Sequence, residues 1–142
     1  MKRRTLRYLV PVAALLAAAG CDYKESFPYQ GDELIDFTTD SLYFSFGKEP
    51  FSVTEKMMEV GVEIVGSPVS HDRGYRIRID PLRTTAQAGQ HYDALEETRT
   101  IPAGASSTTI PVRVHRLELE DETVYTLRLE LVETEDFRLG VF

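Results

Sequence analysis

Residues 58–65 read Met58-Glu59-Val60-Gly61-Val62-Glu63-Ile64-Val65. In an extended chain successive side chains point to opposite faces, so Met58, Val60, Val62 and Ile64 share one face and Glu59, Gly61 and Glu63 the other. A helix would scatter the same residues around its circumference, so the run predicts a strand with one buried face. The two-residue period recurs on the C-terminal side. Tyr75, Ile77 and Ile79 alternate with Arg76, Arg78 and Asp80 and stop at Pro81. Ile110, Val112 and Val114 alternate with Pro111, Arg113 and His115, and Tyr125, Leu127, Leu129 and Leu131 with Thr126, Arg128 and Glu130. Leu42-Tyr43-Phe44-Ser45-Phe46, closed by Gly47, is a further β-prone run.

Turn chemistry falls between the runs, at Gly66-Ser67-Pro68, Ala88-Gly89 and Pro102-Ala103-Gly104. No window after residue 21 carries a sustained helical period; the nearest, 117–122, is short. The expectation is an all-β chain, an antiparallel sandwich or barrel, with one domain over residues 41–142. Pro111 has no N–H for a ladder and must lie at an edge or a bulge.

The 142 residues suffice for one domain. Apolar residues at 42% and charged residues at 27% are globular proportions. The net charge of −7 understates the acidity of most of the chain, because Lys2, Arg3, Arg4 and Arg7 sit together at the N-terminus with no acid among the first twenty residues. Such a chain repels a phosphate backbone, so no nucleic-acid partner is expected.

The N-terminus carries a basic segment, 1–7, and an apolar run, 8–19, broken early by Pro11. As a helix that run reaches only about 18 Å, short of the roughly 30 Å hydrocarbon core. It reads as a secretory signal peptide, 1–20, rather than a membrane anchor. The run ends Ala18-Ala19-Gly20-Cys21, with small residues before the only cysteine. This resembles the lipobox of bacterial lipoproteins. The resemblance implies cleavage between Gly20 and Cys21, acylation of Cys21, and attachment to a membrane through several acyl chains. The alternative is an ordinary thiol after a simple signal peptide, and a lone cysteine at the end of an apolar run argues against it. No disulfide can form within the chain.

Residues 22–40 hold six acids against one Lys24, with Pro28 and Gly31 and no period, and read as an acidic tether. An acid directly after a lipidated cysteine accompanies inner-membrane retention in some bacteria and export to the surface in others.

Thr84-Thr85-Ala86-Gln87-Ala88-Gly89-Gln90-His91-Tyr92-Asp93, then Ile101-Pro102-Ala103-Gly104, Thr108–Val114 and Thr123–Leu129 together resemble a Calx-beta-type Ig-like sandwich, over residues 84–132. In that pattern the tyrosine corresponding to Tyr92 tucks into the core. With the lipobox and the LYFSF run, the whole chain resembles a family of uncharacterised small surface lipoproteins associated with outer-membrane glycan-uptake systems. The resemblance implies a bacterial outer-membrane protein, surface-exposed or, alternatively, periplasm-facing. Its implied partners are an outer-membrane transporter, another surface lipoprotein or a polysaccharide. The implied function is a non-enzymatic binding or accessory module for glycan capture; the alternative is a structural or adhesive protein-interaction module, and a hydrolase comes third.

Glu118, Glu120, Asp121 and Glu122 offer the oxygen ligands that Ca²⁺ takes, and in the Calx-beta pattern Asp93 and Glu96 approach the same end. No EF-hand spacing or paired aspartate is present, so the stretch reads as a solvated acidic loop and no cofactor is expected. His71, His91 and His115 lie far apart in sequence without zinc spacing. No Gly-x-Ser-x-Gly and no phosphate loop occurs. Glu96 and Glu97, if extended, point to opposite faces and cannot flank one bond. No catalytic residue is expected. Tyr43, Tyr75, Tyr92 and Tyr125 fall in expected strands or the motif loop and read as core.

Sandwiches of the Ig-like type close with a strand beside the one expected over 123–132. Here only 133–142 follow, and Glu133, Glu135 and Asp136 read as a loop. The expectation is a sandwich lacking its last strand, with a free edge on the 123–132 strand.

Overall fold

The computed structural model describes residues 30–116 and 119–140. They build an all-β molecule of seven strands: β1 (Leu34–Phe37), β2 (Glu55–Val65), β3 (Arg73–Ile79), β4 (Thr98–Ile101), β5 (Ser107–His115), β6 (Leu129–Val132) and β7 (Arg138–Leu139). One sheet runs β5-β2-β1-β7 and the other β4-β3-β6. All pairings are antiparallel except β1 with β7.

The two-residue period decides what lies between the sheets. Val62 and Ile64 of β2, Ile110 and Val112 of β5, Tyr75 and Ile77 of β3, and Ile101 of β4 form the buried core with Ile35, Tyr92 and Phe137. Fully burying one such aliphatic side chain contributes about 1.5–3 kcal/mol. β2 is the longest strand, paired with β5 over nine residue pairs and with β1 over four.

Pro111 sits where its missing N–H costs nothing. The His115 N–H and Arg113 C=O of β5 point outward, to His91 and Asp93. By the same two-residue period Pro111 also turns outward, on the sheet's edge strand.

Four local expectations are corrected. Leu34–Phe37 lies within the stretch read as tether, yet it is β1, held between β2 and β7. Only its Ile35 is fully buried, too faint a signal against the acids around it. The LYFSF run is not a strand but irregular chain ending in one 3₁₀ turn, Phe46–Lys48. The guanidinium of Arg116 collects the carbonyls of Phe46, Glu49 and Pro50, which takes the place of a ladder for part of this segment. The strand expected over 123–132 is regular only at Leu129–Val132. Before it, Thr126 and Arg128 bond instead to the loop at Thr84–Ala86. Finally, residues 133–140 are not all loop: the chain crosses to the other sheet, buries Phe137 and adds β7 parallel to β1.

Arg73 links the two sheets. Its side chain is buried, ion-paired with Glu33 just before β1, donates to Ala105 O at 3.2 Å and lies 5.2 Å from the Phe137 ring centre. Asp136 accepts from the Gly74 N–H at 2.8 Å.

Candidate functional site

Because neither 38–51 nor 119–128 joins a ladder, these segments flank an open groove of about 1770 Å³. Met58, Val60 and Val114 from one sheet and Leu127, Leu129 and Leu131 beside the other are among its apolar lining. All but Leu129 are half-buried groups packed against the core. Tyr43 and Phe51 also line it, and both rings are exposed, at 76% and 94%. Tyr43 is therefore not a core residue, contrary to the sequence expectation; the irregular course of 42–46 turns it to solvent.

Arg116 organises this wall. Beyond its three carbonyls, its guanidinium lies 5.3 Å from the Phe46 ring centre and 5.4 Å from that of Phe51. Phe44 meets Phe46 edge to face at 4.9 Å, and the Lys56 ammonium lies 5.6 Å from the Phe44 ring. A cation, aromatic faces and backbone carbonyls thus stand together at the groove.

The histidines that are distant in sequence meet at the edge of β5. The His91 C=O accepts from the His115 N–H at 2.9 Å, and Asp93 N–H donates to Arg113 O at 3.0 Å. His91 is buried: its Nδ1 accepts from Gln87 N–H at 2.9 Å and its ring lies against that of Tyr125, centre to centre 4.0 Å and tilted by 45°. His115, on the outward register as expected, places Nε2 2.8 Å from Asp93 and Nδ1 3.6 Å from Glu55. Arg113 adds its charge to the same two carboxylates at 3.7 and 4.0 Å. Both His115 nitrogens thus face carboxylates, with Nε2 within hydrogen-bond distance of Asp93. His71 stands apart, exposed, in the turn before β3.

Tyr92 is in the core, on the short loop bonded to Val114, with Gly89 at φ 81 closing the turn onto Tyr92 O. That φ is a glycine conformation. Burial raises the phenol pKa of Tyr92, and also that of Tyr75, where Arg99 opposes the shift in part. Tyr125 is half-buried against His91.

Glu120, Asp121 and Glu122 are exposed on a turn at the groove mouth, with Glu122 at φ 58. Asp93 is committed to His115 and Arg113, and Glu96 is exposed before β4. Glu97 pairs with Arg76 at 3.5 Å. Among the described residues no three His, Cys, Asp or Glu side chains gather as a metal site, and no helix is long and apolar enough to cross a membrane. Gly20, Cys21 and Glu118 lie outside the described residues.

Sequence reasoning passed over Arg73 and Arg116. Arg73 does precede Tyr75 and Ile77 on the inward register, and a cation in phase with a buried face is a readable signal. Arg116 has no such mark, since its carbonyl partners lie 66–70 residues away.

Residues 22–142 match the family described as Domain of unknown function (DUF4843). No curated protein and no solved structure matches the chain.

Proposed function

The chain belongs to the DUF4843 family, and from that premise we propose that it is a non-enzymatic, lipid-anchored binding or accessory module, its groove capturing glycan at the bacterial outer-membrane surface. The observation that carries this reading is the pair of exposed rings, Tyr43 and Phe51, on the groove. Exposed aromatic faces beside polar groups are what a sugar ring stacks on, and here Arg116, backbone carbonyls and the acidic turn supply the polar surround. Anchorage rests on the Ala18-Ala19-Gly20-Cys21 motif and accords with a family match that begins one residue after Cys21. The acidic turn remains a solvated rim in this reading, with no Ca²⁺ called for.

Affinity electrophoresis and a glycan array with the native chain test the proposal. Retention by a polysaccharide that falls at least tenfold in both Tyr43→Ala and Phe51→Ala is the expected result. No retention by any polysaccharide, or retention indifferent to both rings, overturns it. The second reading, a structural or adhesive protein-interaction module, is favoured by β6, which among the described residues pairs with β3 alone and leaves its other edge open. It predicts an outer-membrane protein that co-purifies through mild detergent.

A further inference from the structure

The edge of β6 has a sequence that complements itself. In the sheet β4-β3-β6 this strand pairs with β3 alone among the described residues. Arg128 O accepts from Asp80 N–H at 3.0 Å, so the backbone of 128 turns toward β3; Thr126 likewise turns toward Thr84–Ala86. Successive residues of an extended chain direct their backbone groups to opposite sides. The N–H and C=O groups of Leu127, Leu129 and Leu131 therefore face the free edge. The side chains of Leu127 and Leu131 turn inward against the core. By the alternation of an extended chain those of Arg128 and Glu130 take the other face, where Arg78 donates to Glu130 at 2.6 Å, and residues of both faces border the groove.

An antiparallel copy of the same strand, related by a two-fold axis through Leu129, sets Leu129 opposite Leu129 and Leu127 opposite Leu131. All of these are positions whose backbone groups point outward, so the register permits a complete ladder of hydrogen bonds. The same register sets Arg128 opposite Glu130, twice by symmetry, in the non-hydrogen-bonded positions where side chains come closest. A slip by one residue loses both the ladder and the charge match.

We propose that the chain self-associates through this edge: β6 pairs antiparallel with β6 of a second copy about a two-fold axis at Leu129, joining two three-stranded sheets into one of six. Such an isologous contact closes on itself, so the product is a dimer and not a filament. It also removes from solvent an edge that lacks the proline of β5.

A charge-swap experiment on the full chain, purified and shown folded by circular dichroism, tests this. Sedimentation velocity at physiological salt should give a monomer–dimer equilibrium. The substitution Arg128→Glu sets carboxylate against carboxylate across the two-fold axis, and Glu130→Arg sets guanidinium against guanidinium. Each variant alone should dissociate about tenfold more readily or worse. In an equimolar mixture the mixed dimer has opposite charges at both cross-strand pairs, two carboxylates on one copy facing two guanidinium groups on the other. Mixing should therefore recover association to within a few-fold of native. Amide exchange at Leu127, Leu129 and Leu131 should slow as concentration rises. A native chain that stays monomeric to about 1 mM overturns the proposal and leaves the edge to a foreign strand or the groove to a small apolar ligand. So does a dimer indifferent to the single reversals, or one that mixing fails to restore.

Discussion

Arg73, at the start of β3, closes on Glu33, directly before β1, and this ion pair ties one sheet of the sandwich to the other. Only 3% of the Arg73 side chain is exposed, against 29% for Glu33, so most of the desolvation falls on the arginine. Its Nε is buried without a hydrogen bond, which leaves the guanidinium dependent on Glu33 and Ala105 O. Removing one member of a buried pair costs about 3–5 kcal/mol because the other charge is stranded. Glu33→Ala should fall near the lower end, since Glu33 is partly solvated. Arg73→Met, which removes the buried charge and keeps the stem on Phe137, should cost less. Urea denaturation of both variants checks the order, and an equal or reversed order contradicts this account.

Tyr92 ties the loop 87–93 into the core, and Tyr92→Ala should destabilise by ~3–5 kcal/mol, as deletion of a buried aromatic does. A loss within about 0.5 kcal/mol, as for a surface substitution, would contradict the burial seen here.

Burial raises the phenol pKa of both Tyr75 and Tyr92 above the ordinary 10.0. The folded chain therefore keeps these protons at a pH where the unfolded chain has released them. Stability from this source is fully present below pH 10 and falls as pH rises through the raised values. Titration of tyrosinate absorbance should show two phenols ionising late and together with unfolding. All phenols titrating at ordinary pH in a still-folded chain would contradict it.

Arg116 holds segment 46–51 by three carbonyls and two aromatic faces. Lysine keeps the charge but cannot span three acceptors in a planar fork. Arg116→Lys should cost about 2 kcal/mol, on the scale of a charge-assisted hydrogen bond. Proteolysis within 42–51 should quicken before global unfolding does. Unchanged cleavage there would show that the segment is held by other contacts.

Acylation of Cys21 is checked by mass spectrometry of the membrane fraction. The expected species begins at Cys21 and carries a diacylglyceryl adduct, and Cys21→Ser should be released from the membrane. A Cys21→Ser chain still integral to the membrane contradicts lipid anchoring.

The alternating runs at 58–65, 75–79 and 110–114 became β2, β3 and β5 with the expected faces inward. The Tyr92 loop packed as its motif implied. These were readable because a two-residue apolar period reports which face of a strand meets the core, and that is a local property. The turn glycines were legible for the same reason: Gly89 and Gly104 have the positive φ that their places required.

What the tertiary structure alone decided is which segments found backbone partners. LYFSF has the stronger β-propensity, yet Leu34–Phe37 is the strand. Propensity describes the fit of a side chain to a pleated surface, whereas a ladder needs a neighbour with free N–H and C=O groups at the right height. β2 offered that edge to β1, while Arg116 drew the Phe46, Glu49 and Pro50 carbonyls away. The same cause brought His91 to His115, set β7 parallel to β1 and left β6 with β3 as its one strand partner among the described residues. Each is a pairing between distant parts of the chain, and no residue type at either end announces it.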